Sequence, residues 1–525
     1  MIHLVCPAYS SDAGIVVEAA LQRSFTATLV QKSSFAPLQS NRQGTTPACW
    51  VLINPPDSWV PAMQAALQAK TKIILLGTIP TSLSSLLQAQ LAELPEHLAE
   101  AAQCCPAPPG SPSESPACIR YRRVSEHIQP PLEKRPFVRF DFADEWNNQG
   151  YGAIKTDDSV WSVSQLVQIP DQYTVAEITI DGRSLSAYAG LWDFPASSLL
   201  WFNRPVGPVD SQEWRLIEQF LAHHRHDNLP CWPVIREVPH GYDAAVTMRL
   251  DCDEDVESAR GLRDLYQQLD VPLSLALHTS VLSDPRHHQL PQEVLAHNGA
   301  ILSHTATHAP NWGGSYEAAY AEGSQSAEVI SRLIGKPVRY AVSPFHHTPD
   351  YARAGLADAG YCGCIGGIIH NDPDFLMARA GVPPGGAQGF IGHSQQCMLH
   401  GDCLLDEADP LRLYKAAFDL AKAGKSVFGY LDHPFSERYS YGWQSEAQRA
   451  AMHAQFVAYI KQTGRVLFCN QEQAMDFLLQ KSAIRVVPEQ NGFRIIMSDS
   501  MISDWQYTVE YAGTAGSIPA DGVLS

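Results

Sequence analysis

Long apolar runs and an excess of positive charge are both missing from this sequence. No window approaches the ~18 apolar residues of a membrane-spanning helix, and the chain opens at Met1 without the basic segment that begins a signal peptide. The 37 lysines and arginines are outnumbered by 55 aspartates and glutamates, which makes the formal net charge −18. These deficits predict a soluble, cytoplasmic protein that has no transmembrane segment and binds no nucleic acid.

Phosphate-binding motifs are missing as well. Neither GxGxxG nor GxxxxGK[ST] occurs at a predicted strand-to-helix turn, so nucleotide binding is unsupported. What is present is a chain of 525 residues that is 45% hydrophobic, which is enough to build more than one core. Its twelve cysteines are scattered and are predicted to be thiols. The oligomeric state is left open.

Composition and periodicity divide the chain into three parts. Residues 1–240 alternate apolar strands with amphipathic helices and predict an α/β domain, with a loop or linker rich in proline and alanine over 101–118. Residues 241–482 repeat strand and helix, including a helix over 316–334, and predict a (β/α) barrel. Residues 483–525 predict a small β appendage around a turn. The chemistry of such a barrel lies at the carboxyl ends of its strands.

Two histidines four residues apart follow a short predicted strand at 300–303. If the segment is helical, His304 and His308 lie one turn apart and can converge on one metal ion. The same spacing also occurs in polar turns with solvated or capping histidines. The pair by itself leaves both interpretations open.

Acidic residues end another apolar strand, at 244–250. Asp251 and Asp253 are two apart and point the same way in an extended chain. Glu254 and Asp255 favour a second interpretation, the acidic first turn of the next helix. One carboxylate could complete a metal site with two histidines while the other accepts a proton from water.

A further histidine, His433, follows the predicted strand at 427–431. Its strand-end position places it on the same rim of the barrel, where it could protonate a leaving amine. Alternatively, it is an ordinary loop histidine.

Taken together and in this order, these residues resemble the polysaccharide deacetylase family with the NodB homology domain, carbohydrate esterase family 4. The run from His304 to His308 fits the family motif H[ST]xxH, the run from Leu431 to His433 fits LxH, and Pro344-Phe345 keeps half of RxP[FYW]. The resemblance covers roughly residues 240–480 and concerns no earlier part of the chain.

The resemblance implies a distorted (β/α) barrel of the NodB type and a metal-dependent hydrolase. The enzyme would remove an N-acetyl group from an amino sugar in a saccharide or a saccharide precursor. Asp253, His304 and His308 would hold one divalent ion, for which zinc is expected and nickel and cobalt are alternatives. Asp251 would be the base and His433 the acid, although the labels of the two aspartates could be reversed.

Three features depart from the family pattern. The usual adjacent aspartates are split as Asp251-Cys252-Asp253. Val342 stands where the motif arginine would orient the base, and Arg249 or Arg339 could replace that arginine. The motif that carries an aspartate and a tryptophan is unclear, and 372–375 is its nearest match.

Phe345, Arg249 and Trp312 are expected at an acetylated amino-sugar substrate, although each aromatic ring could equally be buried. Residues 360–409 are either an insertion that shapes substrate binding or an extra structural strand and loop. Residues 1–240 are expected to contribute no catalytic group. Two rival functions stay open: an amidase or deformylase of the same fold that acts on a non-sugar C–N bond, and a sugar-binding scaffold without turnover.

Overall fold

The protein's structure, a computed structural model, describes residues 1–36, 38, 48–92, 96, 117–122, 124–137, 159–366, 379–394, 397–436, 438–498 and 503–525. Nearly all of the predicted linker at 101–118 and all of the aspartate motif at 372–375 lie outside these residues. No helix in the described part of the chain is both long and apolar enough to cross a membrane.

The first half of the chain builds one large mixed sheet. The strands up to residue 202 are β1 (Ile2–Val5), β2 (Val30–Lys32), β3 (Ala48–Ile53), β4 (Thr71–Leu76), β5 (Gln90–Leu91), β6 (Ala117–Tyr121), β7 (Lys134–Pro136), β8 (Val167–Gln168), β9 (Thr174–Ile180), β10 (Arg183–Asp193) and β11 (Ser197–Phe202). Strands β2-β1-β3-β4-β11 are parallel, and β10-β9-β6-β7 continue the sheet antiparallel. The short strands β5 and β8 pair with each other. Strands β4 and β11 are buried along their whole length, as expected for central parallel strands covered on both faces.

Amphipathic helices cover this sheet. They are α1 (Ser11–Phe25), α2 (Val60–Leu67), α3 (Thr81–Leu87) and α4 (Arg215–Ala222). Helix α1 buries Ala13, Val17 and Leu21, which lie four residues apart on one face. The α/β layer predicted for this region is confirmed, and its later strands make the sheet mixed.

A second sheet contains the strands that carry the sequence motifs. With the short strand before it, the set is β12 (Val234–Ile235), β13 (Ala244–Cys252), β14 (Ser274–Leu277), β15 (Ala300–Ser303), β16 (Tyr340–Val342), β17 (Gly363–Gly366), β18 (Ile391–Ser394), β19 (Cys397–Met398), β20 (Val427–Asp432) and β21 (Val466–Phe468). The order is β18-β17-β16-β15-β14-β13-β20-β19, with β21 beside β13, and every pairing is parallel.

The two ends of this sheet lie close together. Strands β18 and β19 stand at opposite ends of the strand order, yet Ser394 is followed by Cys397 after two residues. Three residue steps span at most about 11 Å, so the sheet must curl into a nearly closed barrel. The predicted barrel is thereby confirmed. Residues 360–409, which the sequence left unassigned, contribute the three strands that bring the edges together.

Helices alternate with these strands as predicted: α5 (Arg260–Gln268), α6 (Gln289–Ala296), α7 (Tyr316–Ile334), α8 (Asp350–Asp358), α9 (Arg412–Gly424), α10 (Glu446–Gln462) and α11 (Gln471–Ser482). Helix α7 has the predicted limits because both ends are capped. The Ser315 side chain accepts a hydrogen bond from the Ala318 amide, and Gly335 ends the helix with a φ of 73°.

The C-terminal strands form two small antiparallel groups, β22 (Arg485–Glu489), β23 (Gly492–Ile496), β24 (Thr508–Tyr511), β25 (Thr514–Ser517) and β26 (Val523–Leu524). One group is β22-β23-β26, and the other is β12-β24-β25. The predicted β appendage is therefore confirmed, and it pairs with a strand that precedes the barrel. The domain limits 1–240, 241–482 and 483–525 stay a prediction.

A buried ionic cluster joins these parts of the chain. Arg379, just before β18, donates to both carboxylate oxygens of Glu218 on α4, each at 2.8 Å. Arg215, also on α4, donates to Glu218 at 3.1 Å and to Glu510 on β24 at 2.6 Å. All four side chains are more than nine-tenths buried. Each buried charge is therefore compensated by neighbours from other segments of the chain.

We expect Arg379→Met to lower the free energy of unfolding by about 3–5 kcal/mol, because Glu218 loses the partner that binds both of its oxygens. Chemical denaturation of the full chain measures the change. Arg412→Met is the matched control, since the Arg412–Glu407 pair is exposed and is expected to contribute about 1 kcal/mol or less. Equal effects of the two substitutions would contradict a stabilising role for the buried cluster.

Acid is expected to weaken the same cluster. Burial raises the pKa of Glu218, but the charges of Arg379 and Arg215 outweigh this and lower the pKa from 4.5 to about 2. A carboxyl with a depressed pKa contributes stability above its unfolded pKa, and that stability is lost as the pH falls through the folded value. The free energy of unfolding should therefore fall between pH 4.5 and pH 2. The fall should be smaller in Glu218→Gln, and an unchanged pH dependence in that variant would contradict the assignment.

Candidate functional site

The predicted site residues meet at the carboxyl ends of parallel strands. Asp251 lies at the end of β13, and Asp253 follows that strand directly. His304 follows β15, and His433 follows β20. Because β13 pairs with β20 on one side and is linked to β15 through β14 on the other, the three strand ends open on the same rim.

Asp253, His304 and His308 converge on one point. The Oδ1 atom of Asp253 lies 3.4 Å from Nε2 of His304 and 3.4 Å from Nε2 of His308. The two imidazole nitrogens are 3.1 Å apart. One carboxylate oxygen and two imidazole nitrogens thus face one another, while the role of these residues as ligands stays a prediction.

The chemistry of these groups fits a divalent ion. Oδ1 of Asp253 is buried and has no hydrogen-bond partner among the described residues, although a buried carboxylate oxygen normally has one. Nδ1 of His304 lies 3.1 Å from the carbonyl oxygen of Val342, which can only accept, so Nδ1 carries a proton and Nε2 of the neutral ring has the free lone pair. Burial and the neighbouring His304 lower the pKa of His308 to about 4, so its ring is neutral at pH 7.

The two histidines do not sit on a helix, which corrects the sequence-based geometry. Thr305 and His308 have φ values of 71° and 58°, and the segment is a tight turn. The Thr305 hydroxyl accepts from the His308 amide at 2.7 Å, and the Glu322 carboxylate accepts from the amides of Ala306 and Thr307. These side-chain hydrogen bonds replace the helical ones, and the turn brings both imidazoles to one side.

Asp251 is held by Arg249. Its carboxylate accepts from Nε of Arg249 at 2.5 Å and from Nη2 at 3.0 Å, and both residues are fully buried. Burial raises the pKa of Asp251, but the Arg249 and His304 charges outweigh this and lower it to about 2. Arg339 pairs with Asp476 instead. Of the two arginines that the sequence offered for orienting the predicted base, Arg249 is the one in contact with Asp251.

His433 points its Nε2 at the other oxygen of Asp253, at 3.6 Å from Oδ2. Its Nδ1 lies 2.8 Å from Nε2 of His400. Tyr441 stacks on the ring with a centroid distance of 4.2 Å and an angle of 14°. Oδ1 of Asp253 thus faces the two predicted ligand histidines, and Oδ2 faces the predicted acid.

His400, Asp432 and His433 form a second group of close nitrogen and oxygen atoms. Its carboxylate is already occupied. Oδ2 of Asp432 accepts from Arg449 at 2.7 Å and lies 3.0 Å from His453, while Oδ1 accepts from the His433 amide at 2.7 Å. A cation here would compete with a buried guanidinium, so this group fits a hydrogen-bonded support for His433 rather than a second ion.

The residues expected at the substrate lie in different places. The Phe345 side chain is 56% exposed, and its ring lies 4.7 Å from that of His308, so it borders the site. Trp312 is 0% exposed and donates to Thr348 at 3.3 Å. Arg249 is 0% exposed and is bound to Asp251. The expectation of a substrate contact is therefore corrected for Trp312 and Arg249, because neither side chain reaches the surface of the site.

Three residues of the site were missed by the sequence-based reasoning. His278 donates from Nε2 to the carbonyl oxygen of Asp253 at 2.6 Å, and its Nδ1 accepts from Ser280. His400 and Tyr441 surround His433. His278 directly follows β14, so its strand-end position was a usable signal. The other two lie in loops without a motif.

Comparisons with known proteins give structural matches only. No family model matches the chain, and no curated protein does so. A putative polysaccharide deacetylase from Mycobacterium smegmatis aligns with 16% identity and a TM-score of 0.38, over 48% of this chain and 96% of that one. A probable polysaccharide deacetylase from Pseudomonas aeruginosa aligns with 12% identity and a TM-score of 0.37, over 48% and 95%. The chitin deacetylase of the fungal pathogen Colletotrichum lindemuthianum aligns with 13% identity and a TM-score of 0.31, over 46% and 92%. Each of these alignments covers about half of this chain.

Proposed function

We propose that the protein is a metal-dependent hydrolase of the polysaccharide deacetylase family that removes the N-acetyl group from an amino sugar. The observation that carries the proposal is the convergence of five side chains at one barrel rim: Asp251, Asp253, His304, His308 and His433. This set combines a ligand group, a proton acceptor and a proton donor, which are the three parts that amide hydrolysis needs.

Asp253, His304 and His308 would hold one divalent ion, and two imidazoles with one carboxylate suit zinc while also accepting nickel or cobalt. The ion would act as a Lewis acid on the amide carbonyl and on the attacking water. His278 supports the ligand loop, since its hydrogen bond to the Asp253 carbonyl holds the backbone of that residue in place.

Asp251 would accept the proton of the attacking water. Its lowered pKa keeps the carboxylate ionised at neutral pH, and the two hydrogen bonds from Arg249 fix its orientation. His433 would donate a proton from Nε2 to the amine as the C–N bond breaks. Water adds its oxygen to the acyl carbon, so the products are acetate and the free amino sugar.

Residues 1–240 would contribute no catalytic group, because every group named above comes from residues after 244. Helix α4, which covers the first sheet, would instead stabilise the barrel through the buried contacts of Glu218 with Arg379.

Acetate release from chito-oligosaccharides by the zinc-loaded full chain tests the proposed function. We expect turnover that is abolished by a chelator and restored by zinc. Acetylated xylan and an N-formyl amine, assayed in parallel, separate the N-acetyl amino-sugar reaction from ester hydrolysis and from deformylation. Binding of the oligosaccharide without release of acetate from any substrate would favour the sugar-binding scaffold instead.

An amidase or deformylase of the same fold is the rival candidate, because Val342 stands where the family motif has an arginine. The contact between Arg249 and Asp251 supports the deacetylase instead, since it supplies a guanidinium to that carboxylate. Selective turnover of the N-formyl amine would restore this rival.

A further inference from the structure

The ring of His433 is held on three sides. Nδ1 lies 2.8 Å from Nε2 of His400, Nε2 faces Asp253, and Tyr441 stacks on the ring face. The hydroxyl of Tyr441 reaches past the ring and donates to Oδ2 of Asp253 at 3.4 Å. Rotation of the imidazole about either side-chain torsion would therefore break a hydrogen bond or collide with the phenol ring.

The two residues that flank His433 come from separate loops. His400 follows β19, within the region that closes the barrel, and Tyr441 lies in the loop after β20. The Gly401 amide donates to the Tyr441 carbonyl oxygen at 3.0 Å. The loops are thus bonded to each other at the residues next to the rings.

Glycines permit this close approach. A Cβ atom on Gly401 would lie 2.2 Å from the carbonyl carbon of Gly442, and one on Gly442 would lie 1.9 Å from Oδ1 of Asp402. Gly442 also has a φ of 73°, which side-chain-bearing residues rarely adopt. Any side chain at either position would push the two loops apart, together with His400 and Tyr441.

We propose that His400 and Tyr441 are positioning residues that together hold the His433 ring in a single orientation, with Nε2 toward the reacting group. The inference rests on the proposed function for its catalytic consequence, while the orientation itself follows from the contacts. Residues 360–409 then have a defined role, because they place His400 beside the His433 ring.

The contacts of both His433 ring nitrogens together favour one tautomer. A single proton lies between Nε2 of His400 and Nδ1 of His433, so that bond forms only when one nitrogen donates and the other accepts. Nε2 of His433 faces Oδ2 of Asp253, which can only accept, so a neutral His433 ring carries its proton on Nε2 and its Nδ1 accepts from His400. Without His400, both neutral tautomers become accessible.

Enzyme kinetics provide the first test. We expect His400→Ala and Tyr441→Ala each to lower kcat by about 10- to 100-fold, a part of the factor that general acid catalysis supplies. KM and zinc content should stay unchanged. His400→Gln, which keeps a hydrogen-bonding side chain, and Tyr441→Phe, which keeps the stacked ring, should recover most of the loss. His297→Ala, at an exposed position on the same barrel, is the control.

Ring NMR of the zinc-loaded full chain, labelled with ¹⁵N in the histidine rings, provides a readout apart from activity. His433→Gln identifies the His433 signals. At a pH where the rings are neutral, we expect one tautomer of His433 in the wild type and a mixture in His400→Ala. Gly401→Ala removes no functional group and should give the same mixture, because its Cβ displaces the loop.

A His433 ring that keeps one tautomer in both His400→Ala and Gly401→Ala would overturn the inference. Loss of zinc in parallel with kcat would also overturn it, since the residues would then support the ligands rather than the acid. If the wild type releases no acetate from any substrate, the proposed function fails, while the ring spectra still decide whether His400 and Tyr441 hold His433.

Discussion

Asp251→Asn is expected to retain the divalent ion and to lose turnover by about 10²- to 10⁴-fold, because an amide cannot accept the proton of the attacking water. Asp253→Asn makes the same chemical change two residues away and is expected to lose the ion, since Asp253 faces both predicted ligand imidazoles at 3.4 Å. Elemental analysis and acetate release, measured on the same preparations, distinguish the two variants.

A complication arises because Asn at 251 removes the carboxylate that pairs with the buried Arg249. Loss of one member of a buried ion pair costs about 3–5 kcal/mol, which is a large part of the stability of a typical chain. The double variant Arg249→Met, Asp251→Asn removes both charges and should be folded, zinc-loaded and inactive. If Asp251→Asn loses the ion and Asp253→Asn keeps it, the labels of base and ligand are reversed.

The double variant His304→Ala, His308→Ala is expected to reduce the metal content from about one ion per chain to nearly none, because a carboxylate alone is a weak zinc site. Activity should be lost with the ion. Elemental analysis of protein purified without added metal measures the change. His297→Ala is the matched control, since this exposed histidine of the same barrel is not part of the site. Unchanged metal content in the double variant would remove the ion from the proposed mechanism.

Much of the fold could be predicted from the sequence because the signals are local. The helix at 316–334 was predicted with its observed limits, since its apolar period runs between the serine cap and the glycine stop. Strands β17 to β19 were not predicted, because strands of two to four residues are too short to show a period, and β17 and β18 also contain glycine. Their existence depends on the neighbouring strands with which they pair.

The residues of the candidate site also fall into two groups: those that the sequence predicted and those that only the structure shows. Asp251, Asp253, His304 and His433 were singled out because each directly follows or ends an apolar strand, and parallel strands end on one rim. His400 and Tyr441 carry no such signal, since they reach His433 only through the contact between Gly401 and Gly442.

The sequence by itself determined two features: the polar groups at the strand ends, and the parallel α/β architecture that brings them to one rim. Both could be read from the sequence because strand direction and side-chain periodicity are properties of short segments. Only the tertiary structure decided that Arg249 rather than Arg339 holds Asp251, that Trp312 is buried, and that His308 reaches Asp253 through a turn with positive φ. Each of these depends on side chains far apart in the chain competing for the same space and charge. The local periodicity of the sequence does not show which of these distant side chains come into contact.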